Sequence, residues 1–314
     1  MTTRDSTEGV GTRRDTTSGV DTRSVAFLSR HERFRSVLST NDIVRNWLIA
    51  GTAEVCLAVA DEQTAGRGRS GRSWVAPSGA ALLLSLGFRP SYLAADRLWR
   101  LAAVVSLAMA DAAEEVAGLA VGKLRLKWPN DIVVEMAGSA GSSGAAEGGL
   151  RKVAGVLGET EGVGTADQLA IVGIGINVDW PPARFPADLA ASMTSLHEIS
   201  GGRPIDTEQL LDEFLLRLEP RLLTLRDGHF DVAGWHDRQV TTGRMVRLEG
   251  SGGDTEDVRA VSVDGATGAL LVEDPATRGT EREVLAGEVV RVRLAADRRA
   301  ELSSSASGRT DVTK

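Results

Sequence analysis

The feature of this chain that most constrains its fold is a pair of apolar runs with a cationic segment between them. The runs at 55–61 and 80–88 have the length and apolar continuity of buried β-strands. The segment between them, QTAGRGRSGRSW (63–74, here called the Gly/Arg loop), contains three arginines, three glycines and no acidic residue. The sequence therefore predicts two core strands that are joined by a flexible, cationic connection.

Three interpretations of the Gly/Arg loop are open from its residues alone: a solvated turn, an anion-binding loop, or an RGG-like segment that binds RNA. Glycine lets backbone N–H groups approach a ligand closely. Arginine supplies a charged, planar fork that suits carboxylate and phosphate. The RNA interpretation is the weakest of the three, because RGG segments usually occur in low-complexity tails and this loop has strands close on both sides.

The patterning of the rest of the chain indicates an α+β fold. Helices are predicted over 39–51, with Ser39 or Thr40 as N-cap, over 95–118, and over 206–225, with Asp206 as N-cap. Pro220 is expected to bend or end the third helix. Further strands are predicted at 124–128, 131–136, 152–162 and 167–179. The strands and helices do not alternate as regular βαβ units, which favours an α+β fold over a doubly wound sheet.

The chain is predicted to divide into a large and a small domain with polar ends. Residues 1–24 and 297–314 have too few apolar side chains to fold and are interpreted as a disordered leader and tail. The large domain is placed at 25–238, with a flexible Gly/Ser/Ala insert at 137–150. Short β-rich segments follow, so a small barrel of about five strands is predicted within 239–296.

Composition excludes several classes of protein. The formal net charge of −7 argues against a protein that coats nucleic acid. The single cysteine, Cys56, excludes an internal disulfide framework, and four scattered histidines offer no zinc site. No apolar run approaches the roughly 20 residues that span a bilayer, and no signal peptide is recognisable. A cytoplasmic protein is the default expectation.

Two further segments carry lysines beside apolar residues. In KWPND (127–131), Pro129 and the two polar residues after it favour a strand–turn–strand corner, but Lys127 beside a buried tryptophan would need an anionic partner. In KVAGVLGE (152–159), Lys152 is either an exposed residue at the start of a strand or a group that stabilises charge developing on carboxylate and phosphate.

The segment GIGINV (173–178) is glycine-rich, but it does not match a known nucleotide-binding fingerprint. It lacks the third glycine of the dinucleotide motif and the βαβ context, and the chain contains no GxxxxGK[ST] sequence. Gly173 and Gly175 are more simply explained as a strand that a ligand or a second backbone approaches closely.

Taken together and in this order, the four segments resemble the biotin–protein ligase family, also called biotin–[acetyl-CoA-carboxylase] ligases. The resemblance extends over about residues 30–294 and includes STND at 39–42. It implies a mixed-sheet catalytic domain of the biotin/lipoate ligase type, with a small C-terminal SH3-like β-barrel.

The resemblance also implies a reaction. Such ligases use Mg²⁺ and ATP to convert biotin into biotinyl-5′-AMP and pyrophosphate. They then transfer the biotinyl group to one lysine of the carboxyl carrier domain of a biotin-dependent carboxylase, such as an acyl-CoA or pyruvate carboxylase. The Gly/Arg loop would bring two anions together, cancel their repulsion and close over the reactive intermediate.

Site residues follow by matching positions. The biotin-binding candidates are Ser39, Thr40, Gln63, Gly66, Arg67, Arg69, Lys152 and Gly155. The ATP-binding candidates are Arg67, Arg69, Arg72, Trp74, Lys127, Asn130, Asp131, Lys152 and Asn177. Lys152 is the expected main catalytic residue, and Arg67 is expected nearest the biotin carboxylate and the adenylate phosphate. For Trp74 and Trp128 a plain packing role is an equal alternative. Metal ligands stay open, because Mg²⁺ is held largely by phosphate and water.

The sequence departs from some members of the family. Some carry an N-terminal winged helix-turn-helix and repress transcription, but the segment before residue 25 is too short and too polar for such a domain, so DNA binding is not expected. A monomer or weak homodimer without membrane contact is expected. The alternatives are a lipoate or octanoate ligase or transferase of the same fold and, remotely, an RNA-binding module that uses the Gly/Arg loop.

Overall fold

A computed structural model describes residues 26–136, 149–250, 253–274, 279–285 and 288–292. The predicted leader at 1–24, the tail at 297–314 and nearly all of the predicted insert at 137–150 lie outside the described residues. Among the described residues, no helix is both long and apolar enough to cross a membrane.

A seven-stranded mixed sheet forms the main body. Its strands are β1 (Arg30–Phe34), β2 (Cys56–Ala60), β3 (Ala81–Phe88), β4 (Leu124–Lys127), β5 (Asp131–Glu135), β6 (Leu150–Glu161) and β7 (Leu169–Asn177). Their order across the sheet is β1-β2-β3-β7-β6-β5-β4. Only β1 and β2 run parallel, and every other neighbouring pair is antiparallel. The predicted strands are confirmed, whereas β1 was not predicted, because RHERF lacks an apolar alternation.

The helices are α1 (Thr40–Ile49), α2 (Trp99–Val116), α3 (Leu196–Ile199), α4 (Thr207–Arg226) and α5 (Val232–Asp237). The three predicted helices are confirmed as α1, α2 and α4, and Asp206 caps α4 by accepting a hydrogen bond from the Glu208 N–H. The expectation that Pro220 could end α4 is wrong, since the helix continues to Arg226. Leu218 and Leu222, on either side of the proline, are both buried, so packing outweighs the lost backbone hydrogen bond.

Different helices cover the two faces of this sheet. On one face, α1 packs so closely that a Cβ at Gly87 of β3 would lie 2.6 Å from Val44. On the other face, α2 and α4 pack over the main core, to which Ile174 and Ile176 of β7 belong. Side chains alternate along a strand. The odd-numbered residues of β7 therefore face the side of α1, and the part of this face beyond the start of α1 holds the candidate site.

A second sheet follows in the chain. Its strands are β8 (Met245–Glu249), β9 (Thr255–Val263), β10 (Leu270–Glu273), β11 (Glu281–Val284) and β12 (Glu288–Val292). All neighbours are antiparallel in the order β11-β10-β9-β8-β12, which agrees with the predicted five strands. Side chains of the main body hold the β9–β10 turn: Trp99 Nε1, Arg100 Nη2 and Trp128 Nε1 donate to the carbonyls of Ala266, Gly265 and Gly268. The α+β class is confirmed.

Candidate functional site

A cluster of four polar side chains, three of them buried and one half-buried, lies at the N-terminus of α1. Thr40, Asn41 and Ser85 are 2%, 4% and 0% exposed. The Ser85 hydroxyl oxygen lies 2.6 Å from both Thr40 Oγ1 and Asn41 Oδ1. Gln63 Oε1 accepts from the Thr40 N–H at 2.8 Å and from its hydroxyl at 3.1 Å. This polar cluster (Thr40, Asn41, Gln63, Ser85) fixes amides and hydroxyls in a water-poor setting, where they can recognise a polar head group.

Two of the four residues of the polar cluster were predicted from the sequence. Thr40 and Gln63 were predicted, and the structure brings them into hydrogen-bond contact. Ser39 is buried and precedes the first helical residue, but its side chain makes no cap hydrogen bond. Asn41 and Ser85 were missed. A signal existed for Ser85, since it is the one hydroxyl in the apolar strand ALLLSLGF.

Three glycines of β6 and β7 form a floor without side chains next to the polar cluster. Gly155 pairs with Gly175 across the two strands, and Gly173 lies directly under the Asn41 side chain. A Cβ at Gly175 would lie 2.5 Å from Cε2 of Trp74, and one at Gly155 would lie 3.1 Å from Cζ3 of the same ring. The indole therefore rests on this glycine floor (Gly155, Gly173, Gly175), and its buried Nε1 has no hydrogen-bond partner among the residues that the structure describes.

Lys152 reaches the glycine floor through a β-bulge. Lys152 and Gly155 are three residues apart, so in a regular strand their side chains would point to opposite faces. The β5–β6 register shifts between Ile132 and Val133, and both Val153 and Ala154 consequently enter the core. The shift turns Lys152 to the face of Gly155, where its Nζ would lie 3.0 Å from an added Cβ. Bulges commonly re-aim a side chain beside an active site.

The ammonium group of Lys152 sits between a carboxylate and an aromatic ring. Its Nζ lies 2.7 Å from Asp131 Oδ1 and 5.4 Å from the centroid of the Trp74 ring. The Lys152 side chain is 36% exposed and the Asp131 side chain 17%. The predicted residues Lys152, Asp131 and Trp74 are thus brought together, and a charged lysine is available at the end of the glycine floor.

The backbone around Lys152 is held by the segment 192–194. The Lys152 N–H donates to the Ser192 carbonyl at 2.8 Å, and the Thr194 N–H donates to the Lys152 carbonyl at 2.9 Å. Asn177 Nδ2 in turn donates to the Thr194 carbonyl at 2.8 Å. Asn177, predicted on the nucleotide side, therefore fixes the segment that fixes Lys152, and a contact of its own with nucleotide stays a prediction.

Arg67 contacts carboxylates of the protein itself. Its guanidinium makes a two-pronged pair with Asp42, with N–O distances of 2.8 and 2.7 Å, and lies 3.4 Å from both oxygens of Glu159. The hydrogen bonds from Arg67 hold the pKa of the Asp42 carboxyl below its usual value of 3.8, and the same pairing raises the pKa of Arg67. The predicted role of Arg67 against a substrate anion stays a prediction.

Arg69, in contrast, lines a cleft together with the KWPND segment. The cleft has a cavity volume of about 240 Å³ and lies between α2, the β4–β5 corner and the second sheet. Four of the predicted residues line it: Arg69, Lys127, Asn130 and Asp131. Asn130 also pins the corner to β6, because its Nδ2 donates to the Val156 carbonyl at 2.7 Å and its carbonyl accepts from the Val156 N–H at 2.9 Å. Two cationic side chains in one cleft suit a polyphosphate.

The Gly/Arg loop is a tight structure closed at its base. The backbone N–H of Trp74 donates to the Gly66 carbonyl at 2.9 Å. A Cβ at Gly66 would lie 2.5 Å from the Trp74 carbonyl oxygen, so only glycine fits there. Within the loop, the Gly68 N–H donates to the Arg72 carbonyl at 2.7 Å. Arg72 therefore shapes the loop through its backbone, and the predicted contact of its side chain with ATP stays a prediction.

No preformed metal site is found in the described part of the chain, where no three His, Cys, Asp or Glu side chains are grouped to hold an ion. Asp131 is the carboxylate of the cleft, and it is paired with Lys152. Magnesium is commonly bound by one or two carboxylates plus substrate phosphates. The residues present fit an ion that arrives with a nucleotide better than a resident one.

The sequence and the structure were compared with those of known proteins. The sequence profile of the biotin/lipoate A/B protein ligase family matches residues 33–177. The biotin–[acetyl-CoA-carboxylase] ligase of Mycobacterium tuberculosis is 30% identical over 257 residues, which cover 81% of this chain and 86% of that protein. The bifunctional ligase/repressor BirA of Bacillus subtilis is 32% identical over 62% of this chain, and the match spans about half (54%) of BirA.

Solved structures give the same relationship. The biotin protein ligase of Aquifex aeolicus, determined in complex with biotin and ATP, superposes with a TM-score of 0.66 at 27% sequence identity. The superposition covers 83% of this chain and 99% of the Aquifex chain. It therefore takes in most of this chain, well beyond the segment that the family profile matches.

Proposed function

Because this chain belongs to the biotin–protein ligase family, we propose that it activates biotin with ATP and transfers the biotinyl group to a lysine of a carrier protein. In the first step a biotin carboxylate oxygen attacks the α-phosphorus of ATP, and the bond to the pyrophosphate leaving group breaks. In the second step the ε-amine of the carrier lysine attacks the acyl carbon of biotinyl-5′-AMP, loses a proton, and AMP leaves.

The observation that carries this proposal is a chain of contacts that links three kinds of chemistry. Asn41 of the polar cluster lies on Gly173 of the glycine floor, Lys152 lies beside Gly155 of the same floor, and Lys152 pairs with Asp131, which also lines the cationic cleft. Gly173 and Gly175 are two residues apart on β7 and thus about 7 Å apart. A ligand that contacts all three has a polar head, a slender apolar spacer and an anionic end. Biotin has this shape.

Lys152 is proposed to neutralise the charge that develops during activation. Its ammonium lies beside Gly155 of the glycine floor and pairs with Asp131, which lines the cleft. We propose that from this position one cation faces both the attacking carboxylate and the α-phosphate. A fixed charge at that position lowers the repulsion between two anions and stabilises the transition state. Asp131 holds the ammonium at 2.7 Å and so prepares its position.

Other parts of the proposal rest on the family resemblance. The catalytic domain is placed at 25–238 and the small domain at 239–296. ATP is proposed to enter the cleft as its magnesium complex, with Arg69 and Lys127 facing the phosphates. The acceptor is proposed to be the carboxyl carrier domain of an acyl-CoA or pyruvate carboxylase, met in the cytoplasm by a monomer or weak homodimer.

The polar cluster favours biotin over the acyl substrates of related enzymes. The far end of an octanoyl chain is a methyl group, which can neither donate nor accept a hydrogen bond and would displace water from a polar surface without replacing its hydrogen bonds. The fused ring of biotin carries a urea group that both donates and accepts hydrogen bonds, and it therefore complements the cluster.

Mass spectrometry of the reaction products tests the proposal. The protein is incubated with Mg-ATP and, in separate tubes, biotin, lipoate or octanoate. We expect biotinyl-AMP and pyrophosphate in the biotin tube and no adenylate in the others. Lipoyl- or octanoyl-AMP would refute the choice of substrate, and no adenylate in any tube would refute the reaction.

A further inference from the structure

An ion network surrounds the first arginine of the Gly/Arg loop, away from the cleft. Asp42, in the first turn of α1, makes the two-pronged pair with Arg67 and also pairs with Arg45 at 2.7 Å. Glu159 on β6 lies 3.0 Å from Arg45 and 3.4 Å from Arg67. Arg67 is thus attached to two elements that are far apart in sequence, one helix and one strand.

Glu159 also connects this network to the polar cluster. Its Oε2 accepts a hydrogen bond from Asn41 Nδ2 at 2.6 Å, and the same oxygen faces Arg45 and Arg67. Asn41 and Asp42 are neighbours on α1. The base of the loop and the head-group end of the site are therefore attached to the same carboxylate, that of Glu159.

The salt bridges of Arg67 lie at the base of the Gly/Arg loop, before the residues that they can position. Arg67 forms a bridge with Ser73 across the base of the loop, and Arg69 follows two residues later among the residues that line the cleft. A salt bridge at the base removes freedom from the residues beyond it. Without that bridge the loop would keep the backbone contact between Gly66 and Trp74, the hydrogen bonds of Gln63 and the packing of the Trp74 ring on the glycine floor. The Arg67 segment between these contacts would lose its own tie to α1 and β6.

We propose that Asp42 and Glu159 are positioning residues for the Gly/Arg loop: they hold Arg67 against α1 and β6, and the loop consequently presents Arg69 to the cleft. The kinetic consequence rests on the proposed function. A loop held in this way covers the acyl-adenylate between the two half-reactions, whereas a loop without this attachment lets the intermediate escape before the carrier lysine attacks it.

Limited trypsin digestion tests the positioning without any assumption about the reaction. Trypsin cleaves after arginine, so peptides that end at Arg69 and Arg72 report how often the loop opens. In the full chain without added substrates, we expect Asp42→Asn and Glu159→Gln to raise cleavage at both sites about fivefold, the upper end for an exposed pair. The matched control is Asp257→Asn, which breaks the two-pronged Arg247–Asp257 pair of the second sheet.

Comparison of Asp42→Asn with Glu159→Gln distinguishes loss of the Arg67 salt bridges from a local effect at either carboxylate. Asp42 lies in the first turn of α1 and also interacts with the helix dipole, whereas Glu159 is on β6, so a shared effect points to Arg67. Wild-type cleavage in both variants would overturn the proposal, and so would a change in Asp42→Asn alone or in the control. Both substitutions keep the side-chain shape, and thermal unfolding confirms that each variant is folded. Arg67→Gln provides a third variant with the same expected result.

The kinetic measurement is release of labelled biotinyl-AMP from the preformed complex, measured by filtration. We expect Glu159→Gln to release it about fivefold faster, with the rate of its formation changed less than twofold. Unchanged release alongside increased trypsin cleavage would refute the covering role. If the wild-type protein forms no biotinyl-AMP, the proposed function fails while the trypsin result still decides the positioning of the loop.

Discussion

Substitution of Gly175 by alanine tests the glycine floor most directly. The new methyl group would lie 2.5 Å from Cε2 and 2.7 Å from Nε1 of Trp74, whereas ordinary carbon contacts are about 3.5–4.0 Å. The indole must therefore retreat by about 1 Å, and any substrate spacer that follows the floor meets the same methyl group. Extra methyl groups in packed sites cost about 1–3 kcal/mol, or roughly 5- to 150-fold in kcat/KM for biotin.

The assay is biotin-dependent exchange of labelled pyrophosphate into ATP, with thermal unfolding measured on the same samples. Trp74 is partly exposed and its ring can move toward solvent, so the Tm of Gly175→Ala should change by less than about 2 °C. Gly158→Ala is the matched control, because a Cβ at Gly158 meets nothing within 4 Å. If the two variants have equal kcat/KM, substrate does not lie on the glycine floor and the reasoning fails.

Three further predictions concern single side chains. Lys152→Ala should abolish adenylate formation while the protein stays folded, and unchanged turnover in the exchange assay would remove Lys152 from its proposed role. Ser85→Ala should lower the free energy of unfolding by about 1–3 kcal/mol, because a buried acceptor on Asn41 loses its donor; urea denaturation measures this, and a wild-type midpoint would contradict it. Burial raises the pKa of the Cys56 thiol to about 11 from 9.0. With dithionitrobenzoate at pH 8, Cys56 should therefore react about 100-fold more slowly than an exposed thiol, since only the thiolate attacks; equally fast reaction would show that the strand opens.

Most strands of the main sheet could be predicted from the sequence, because the central strands are continuous apolar runs that can only be buried. The sequence was insufficient for β1, whose place is set by parallel pairing with β2 and not by its own pattern. Pro220 shows the converse case, in which a strong local signal is outweighed by buried leucines on both sides of it. Local patterns thus predicted what local forces decide, and they failed where distant contacts decide.

The candidate site shows the same division. STND, the Gly/Arg loop, KWPND and Lys152 were recognisable as motifs, and the structure gathers most of them on one face. The motifs did not reveal that a register shift turns Lys152 toward Gly155, since side-chain alternation alone puts the two on opposite faces. The motifs placed Arg67 nearest the substrate anions and gave no sign that it pairs with Asp42. Only the fold places one arginine against Asp42 and the other in the cleft.

The alternation of side-chain directions along β7 also constrains how the sequence of this strand can vary in evolution. Ile174 and Ile176 point into the core, where exchange for another aliphatic residue of similar volume usually costs less than about 1.5 kcal/mol. Gly173 and Gly175 point to the site, where even one methyl group meets Asn41 or Trp74. The even positions are free to vary among aliphatic residues, while the odd positions are held at glycine. After random substitution of residues 173–176 and selection for activity, we expect positions 174 and 176 to accept several aliphatic residues and positions 173 and 175 to keep glycine.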